Sequence, residues 1–150
     1  MKPTPPGWPR ISPSIYCSDP RAAIAWLCKA FGFKVRMIVD GPDGSVMHSE
    51  LEFGDDGVLM VSGSSAPGGP PDGAWRKSPS AAGGANTQNL FCYVDDVEAH
   101  CTQARAAGAV ILKEPTTVDY GEGHWVDRGY QARDPEGHHW YFAERILTRG

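Results

Sequence analysis

No stretch of this 150-residue sequence approaches the ~18 consecutive apolar residues of a membrane span, so no membrane partner is expected. An excess of basic residues is missing too. The formal charge is −4 and the isoelectric point near 5.7. Nucleic acid is therefore not an expected partner, because phosphate binding draws on basic stripes. The opening MKPTPPGWPR has no apolar stretch and does not resemble a signal peptide, which sets the expectation of a cytoplasmic protein. Cysteine is sparse: Cys17, Cys28, Cys92 and Cys101, with no CxxC pair. Each falls in an expected strand or helix, so buried thiols are the reading. His100 and Cys101 are neighbours on an expected helix, where side chains point about 100° apart, and they cannot work as a catalytic pair.

What the sequence does have is a pattern stated twice. SDPRAAIAWLCKAFGFKVR at 18–36 and VDDVEAHCTQARAAGAVIL at 94–112 align Asp19 with Asp95, Ala23 with Ala99, Ala30 with Ala106 and Gly32 with Gly108. Each copy reads strand, acidic cap, helix, glycine stop, strand. Two such modules would each be marginal alone and are expected to share one core. The expected division is a flexible arm at 1–10, a first βαβββ module at 11–62, a Gly/Ser/Pro-rich linker at 63–88, a second βαβββ module at 89–145 and a tail at 146–150. The fold class is α+β.

In the first module, strands are expected at 11–17, 34–40, 46–53 and 58–62. A helix capped by Asp19 carries the buried stripe Ile24, Leu27, Cys28 and Phe31. In the 46–53 strand, alternation places Met47, Ser49, Leu51 and Phe53 toward the helix and His48, Glu50 and Glu52 toward a solvated concavity. In the second module, strands are expected at 90–94, 110–113, 130–133 and 138–143, with an irregular hairpin at 120–125. Asp95 is the expected cap of the second helix, with Val97, Cys101 and Ala104 as its stripe.

The doubled module, the closing phrase Arg133-Asp134-Pro135-Glu136-Gly137-His138-His139-Trp140, and the segments VDDVEAH and HSELEFGD resemble the vicinal oxygen chelate superfamily. That group holds glyoxalase I, extradiol dioxygenases, fosfomycin-resistance enzymes and bleomycin-binding proteins. The resemblance implies two modules forming a curved, incomplete barrel around a cleft. In the family's metal enzymes, four strands supply His, Glu or Gln ligands. Carried over, those positions fall on Ser12 or Pro13, Met60 or Val61, Asn89, and Tyr141. None is a good ligand for a borderline divalent metal. The resemblance is therefore closest to the metal-free bleomycin-resistance type, and implies a homodimer that binds a small aromatic or drug-like molecule, with antibiotic resistance as its context. No cofactor is expected.

Strand alternation assigns cleft-facing positions to His48, Glu50, Asn89, Phe91, Tyr93, His139 and Tyr141, with Trp125 closing over a ligand from the hairpin. Two enzymatic alternatives stand beside binding. One is a glyoxalase- or dioxygenase-type enzyme with its metal relocated to His48, Glu50 and His139 or His124. The other is a metal-free enzyme using His48 and Glu50 as acid and base.

Overall fold

A computed structural model describes residues 1–63 and 75–149. Much of the expected linker, residues 64–74, lies outside the described residues. The chain divides into two compact units, Met1–Gly83 and Gly84–Gly150. Each holds one four-stranded mixed sheet and one α-helix, so the fold is α+β.

The first unit runs β1 (Ser14–Tyr16), α1 (Pro20–Phe31), β2 (Lys34–Asp40), β3 (Val46–Phe53) and β4 (Gly57–Ser62), in sheet order β1-β4-β3-β2. Asp19 caps α1 by accepting from the Ala22 amide, Pro20 sits in the first turn, and Gly32 ends the helix at φ 77°, a left-handed conformation that glycine adopts without penalty. Ile24, Leu27, Ala30 and Phe31 bury the helix face against Ile15, Leu51, Leu59 and Val61. Strand β1 is parallel to β4, with Ser14 opposite Met60 and Tyr16 opposite Ser62. A short 3₁₀ turn, Ser80–Ala82, belongs to this unit, and Ser78 hydrogen-bonds Ser18 at 3.1 Å.

The expected alternation in β3 does not hold throughout. Met47 is 38% exposed rather than packed on the helix, and Glu50 is buried rather than solvated. Met47 is displaced by a bulge, since Val39 pairs with His48 but Asp40 with Val46. Glu50 stays on the His48 side, where His48 and Arg36 cover it.

The second unit runs β5 (Leu90–Tyr93), α2 (Val97–Ala106), β6 (Val110–Asp119), β7 (Trp125–Arg133) and β8 (His139–Thr148), in order β5-β8-β7-β6. Two expectations need correction. The cap of α2 is Asp96, not Asp95, and accepts from Ala99 at 2.9 Å. Glu144 Oε2 also accepts from the Val97 amide at 3.0 Å, so two carboxylates meet the positive end of this helix. Strands β6, β7 and β8 are all longer than the short segments read from the sequence, because Trp125 pairs with Thr148 and Asp119 with Val126. Val97, Cys101 and Ala104 do form the buried stripe, packing with Tyr130, Ala132, Trp140 and Phe142. All four cysteines carry thiols, and burial pushes that of Cys92 up to about 12. Among the described residues, no helix is long and apolar enough to cross a membrane.

Candidate functional site

On the second unit, alternation along β5, β7 and β8 turns Phe91, Tyr93, Trp125, Asp127, Gly129, Tyr141 and Arg145 away from α2. Their side chains close a circuit. Tyr141 lies 4.9 Å from Phe91 by ring centroids, and Phe91 lies 5.1 Å from Tyr93. The Arg145 guanidinium sits 5.1 Å from the Tyr93 ring and 4.8 Å from that of Trp125. Trp125 meets Tyr120 at 5.7 Å, and Tyr120 is near enough to Tyr141 to help raise its pKa. Five aromatic rings thus share one face with a cation that lies against two of them, Tyr93 and Trp125.

That cation is matched. Arg145 Nε donates to Asp127 Oδ1 at 2.5 Å, and Arg145 also donates to the Tyr93 hydroxyl, which donates to Asp127 Oδ2 at 3.1 Å. Asp127 is 3% exposed, so it serves as a buried counter-charge beneath the rings. The rings themselves stay open: Phe91 and Tyr93 are each 48% exposed and Trp125 is 39% exposed. A contiguous exposed aromatic face is uncommon on a surface without a binding role.

Tyr141 reaches its place because β7 has no side chain at Gly129. A Cβ there would come 2.8 Å from the Tyr141 hydroxyl and 2.9 Å from the Phe142 carbonyl oxygen. Gly129→Ala is therefore expected to displace Tyr141 and to cost about 1–3 kcal/mol of stability, read from urea unfolding.

Burial raises the pKa of Tyr141, Tyr93 and Tyr130; for Tyr93 the bond to Asp127 adds to it. All three stay neutral donors through the physiological range. A raised folded pKa contributes stability that is fully present below the unfolded value of about 10 and is lost as pH rises through the folded value. Alkaline titration of phenolate absorbance in the native chain should therefore lag behind that of the urea-unfolded chain. Coincident curves would contradict this environment.

On the first unit, His48 Nε2 and Glu50 Oε1 are 2.9 Å apart. Arg36 Nε lies 3.2 Å from Glu50 Oε2, outside hydrogen-bond alignment, while Arg36 Nη1 donates to the Gly7 carbonyl at 2.6 Å and its guanidinium covers the Trp8 ring at 5.2 Å. The expected pair is thus in contact, with its carboxylate buried and held by a guanidinium. Beside it is a cavity of about 300 Å³, lined in part by Tyr16, Met47, His48 and Arg76. A larger hollow of about 470 Å³ lies between residues 4–9 and the β3–β4 turn, lined by Trp8, prolines and the carboxylates Glu52, Asp55 and Asp56.

Other expected residues are placed differently. Asn89 is exposed, one residue before β5. His139 opens β8, and its amide donates to Asn86 Oδ1 at 3.2 Å. His124 lies in the β6–β7 turn, with its ring 5.8 Å from Trp125. Sequence reasoning missed Tyr120, Asp127 and Arg145 as members of the aromatic face. It also missed Arg76, which lies within the supposed linker.

The strand pairs to which the resemblance assigns metal ligands can be tested for fit. Of the carried-over positions, Ser12 and Pro13 precede β1, Met60 and Val61 lie on β4, Asn89 just before β5 and Tyr141 on β8. Hydroxyl, thioether, amide and phenol groups are a poor donor set for a divalent metal. Among the described residues, no three His, Cys, Asp or Glu side chains are grouped to hold one. The residues present do not fit that group.

The family model Glyoxalase/Bleomycin resistance protein/Dioxygenase superfamily matches residues 10–142. The protein Mb0911c of Mycobacterium bovis is 29% identical over 138 residues, covering 92% of this chain and 84% of its own length. Rv0887c of Mycobacterium tuberculosis H37Rv is likewise 29% identical over 138 residues, covering 92% and 75%. The crystal structure of TioX from Micromonospora sp. ML1 superposes with a TM-score of 0.66 at 29% identity, over 90% of this chain and 98% of TioX. TnmS3, described as an antibiotic binding protein from Streptomyces sp. CB03234, superposes with a TM-score of 0.61 at 19% identity, over 91% and 95%.

Proposed function

This chain belongs to the Glyoxalase/Bleomycin resistance protein/Dioxygenase superfamily, and from that premise we propose that it binds a small planar aromatic molecule, of the drug-like or antibiotic class, without a metal. The observation that carries the reading is the exposed run of Phe91, Tyr93, Trp125, Tyr120 and Tyr141, with Arg145 bridging Tyr93 and Trp125. Flat, half-exposed rings gain most by covering another flat ring, since stacking adds to the burial of apolar area. Because Asp127 offsets Arg145, the face selects for shape and polarisability more than for charge. The same fold serves an antibiotic binding protein in TnmS3.

The test is titration with quinizarin, a neutral planar tricyclic dye, followed by quenching of tryptophan fluorescence. Saturable quenching that is lost in the Phe91→Ala/Tyr141→Ala double variant supports the reading. Non-saturable quenching, or quenching indifferent to that variant, overturns it.

A second reading rests on the contact between His48 and Glu50. Glu50 would hold His48 as a general base in a metal-free reaction. A pH–rate profile unmoved by His48→Gln would remove it. Pairing of two copies is also part of the proposal. Val35, Met37 and Val39 are exposed on the edge strand β2, a surface suited to burial against a second copy. Sedimentation as a monomer would remove that element.

A further inference from the structure

We propose that Arg145 sets the chemical class of the ligand on the second unit's aromatic face: a planar aromatic that carries a neutral oxygen acceptor, such as a ring carbonyl, on its edge. This rests on the binding reading above and goes beyond it, because stacking on rings distinguishes a hydrocarbon poorly from its ketone.

The donors of Arg145 can be followed one by one. A guanidinium has five N–H groups and no acceptor. Nε donates to Asp127 Oδ1 at 2.5 Å. Nη2 donates to the Tyr93 hydroxyl, which itself donates to Asp127 Oδ2 at 3.1 Å. Arg145, Asp127 and Tyr93 thus form a closed ring of hydrogen bonds. Nη1 has no partner among the described residues. It keeps its N–H donors on a side chain that is one-third exposed.

The anchoring fixes where those donors lie. Asp127 of β7 is directly opposite Arg145 of β8, and its carboxylate is buried. A planar fork held at both Nε and Nη2 has little freedom to turn Nη1 elsewhere. The same guanidinium lies against the Tyr93 and Trp125 rings, so its unused donors belong to the surface that a stacked ligand covers.

Charge then decides between acceptors. Asp127 offsets Arg145, so a ligand anion would give up its hydration without meeting a net positive charge. A neutral carbonyl oxygen loses less on leaving water and still accepts a charge-assisted hydrogen bond. A bare hydrocarbon edge over Nη1 would strip water from the donor and return nothing. The preference is therefore built from both sides, a gain for oxygen and a penalty for its absence.

The test uses the full chain and two planar tricyclic probes, 9-fluorenone and fluorene, which differ by one ring carbonyl. Each is competed against bound quinizarin, read from the visible absorbance of the dye. 9-Fluorenone is expected to bind about tenfold more tightly or better, and to shift the Arg145 guanidinium N–H resonances in ¹H–¹⁵N spectra. In the double variant Asp127→Asn/Arg145→Met, which removes both charges together, the ratio of the two affinities is expected to fall to about one. Equal affinities in the wild-type chain, or a preference that survives the double variant, would overturn the proposal. Fluorene-2-carboxylate binding more tightly than 9-fluorenone would overturn the choice of a neutral oxygen. Should the double variant fail to fold, the probe comparison and the Arg145 resonances of the wild-type chain decide alone. Saturable quinizarin binding with equal probe affinities removes this proposal and leaves the stacking reading standing, whereas no saturable quinizarin binding removes both.

Discussion

Replacing Asp134 with alanine is expected to lower the stability of the second unit by about 3–5 kcal/mol, which for a urea m-value of about 1–3 kcal/mol/M moves the midpoint by about 2 M. The carboxylate is 6% exposed and collects four donors. Oδ1 accepts from the Glu136 amide at 3.0 Å and the His138 amide at 2.9 Å. Oδ2 accepts from Trp140 Nε1 at 2.9 Å, and His138 Nδ1 lies 3.0 Å from the same oxygen. Alanine would remove the acceptor that Asp134 gives the indole N–H of Trp140, a residue 1% exposed. The Asp134-Pro135-Glu136-Gly137 turn would also lose the side chain that fixes its shape. Asparagine retains one acceptor oxygen and should cost roughly half as much. Urea unfolding followed by tryptophan fluorescence checks both. An alanine variant within about 1 kcal/mol of wild type would show that the turn is held by its backbone bonds alone.

The second large effect concerns ligand affinity. Phe91→Ala and Tyr141→Ala are each expected to weaken quinizarin binding by about ten- to hundredfold, because anchoring aromatics dominate the energetics of small contact areas. Stability should change much less at Phe91, which is 48% exposed, than at a core aromatic. Tyr141→Phe separates the ring from its hydroxyl: it should retain most of the affinity while losing the contact with Tyr120. If Tyr141→Phe is as damaging as Tyr141→Ala, hydrogen bonding rather than stacking carries recognition.

Much of the fold was legible where local chemistry was unambiguous. Strand β2 ends at Asp40 and β3 begins at Val46 because Gly41-Pro42-Asp43-Gly44 cannot continue either strand. Asp19 and Pro20 mark the start of α1. At α2 the adjacent acids Asp95 and Asp96 offer the same chemistry, and only the path of the chain decides between them. Bulges at Ile111–Lys113, Lys113–Thr116 and Val126–Asp127 interrupt the period of two, which hid the full length of β6, β7 and β8. The lost length had a further consequence for the aromatic face. Period two places Phe91, Tyr93 and Tyr141 on one side, and their rings do touch. Asp127 and Arg145 sat beyond the strand ends read from sequence, so their role under those rings was not visible. Arg76 was hidden for another reason: Gly/Ser/Pro-rich composition signals a connection but says nothing of one arginine folded against a tyrosine from an earlier strand.

The strand order of the second unit bears on its biosynthesis. Strand β8, made last of the four, does not sit at the sheet's edge but between β5 and β7. Until it leaves the ribosome, β5 has no neighbour with which to pair, and the β6–β7 hairpin exposes the flank that β8 will cover. The nascent unit can therefore form its helix and one hairpin early, but the sheet itself closes only after translation of the region through Thr148. Rare codons or a stalled fusion near that point would hold an unpaired strand edge open, and yield would be lost to aggregation with no change in the mature protein.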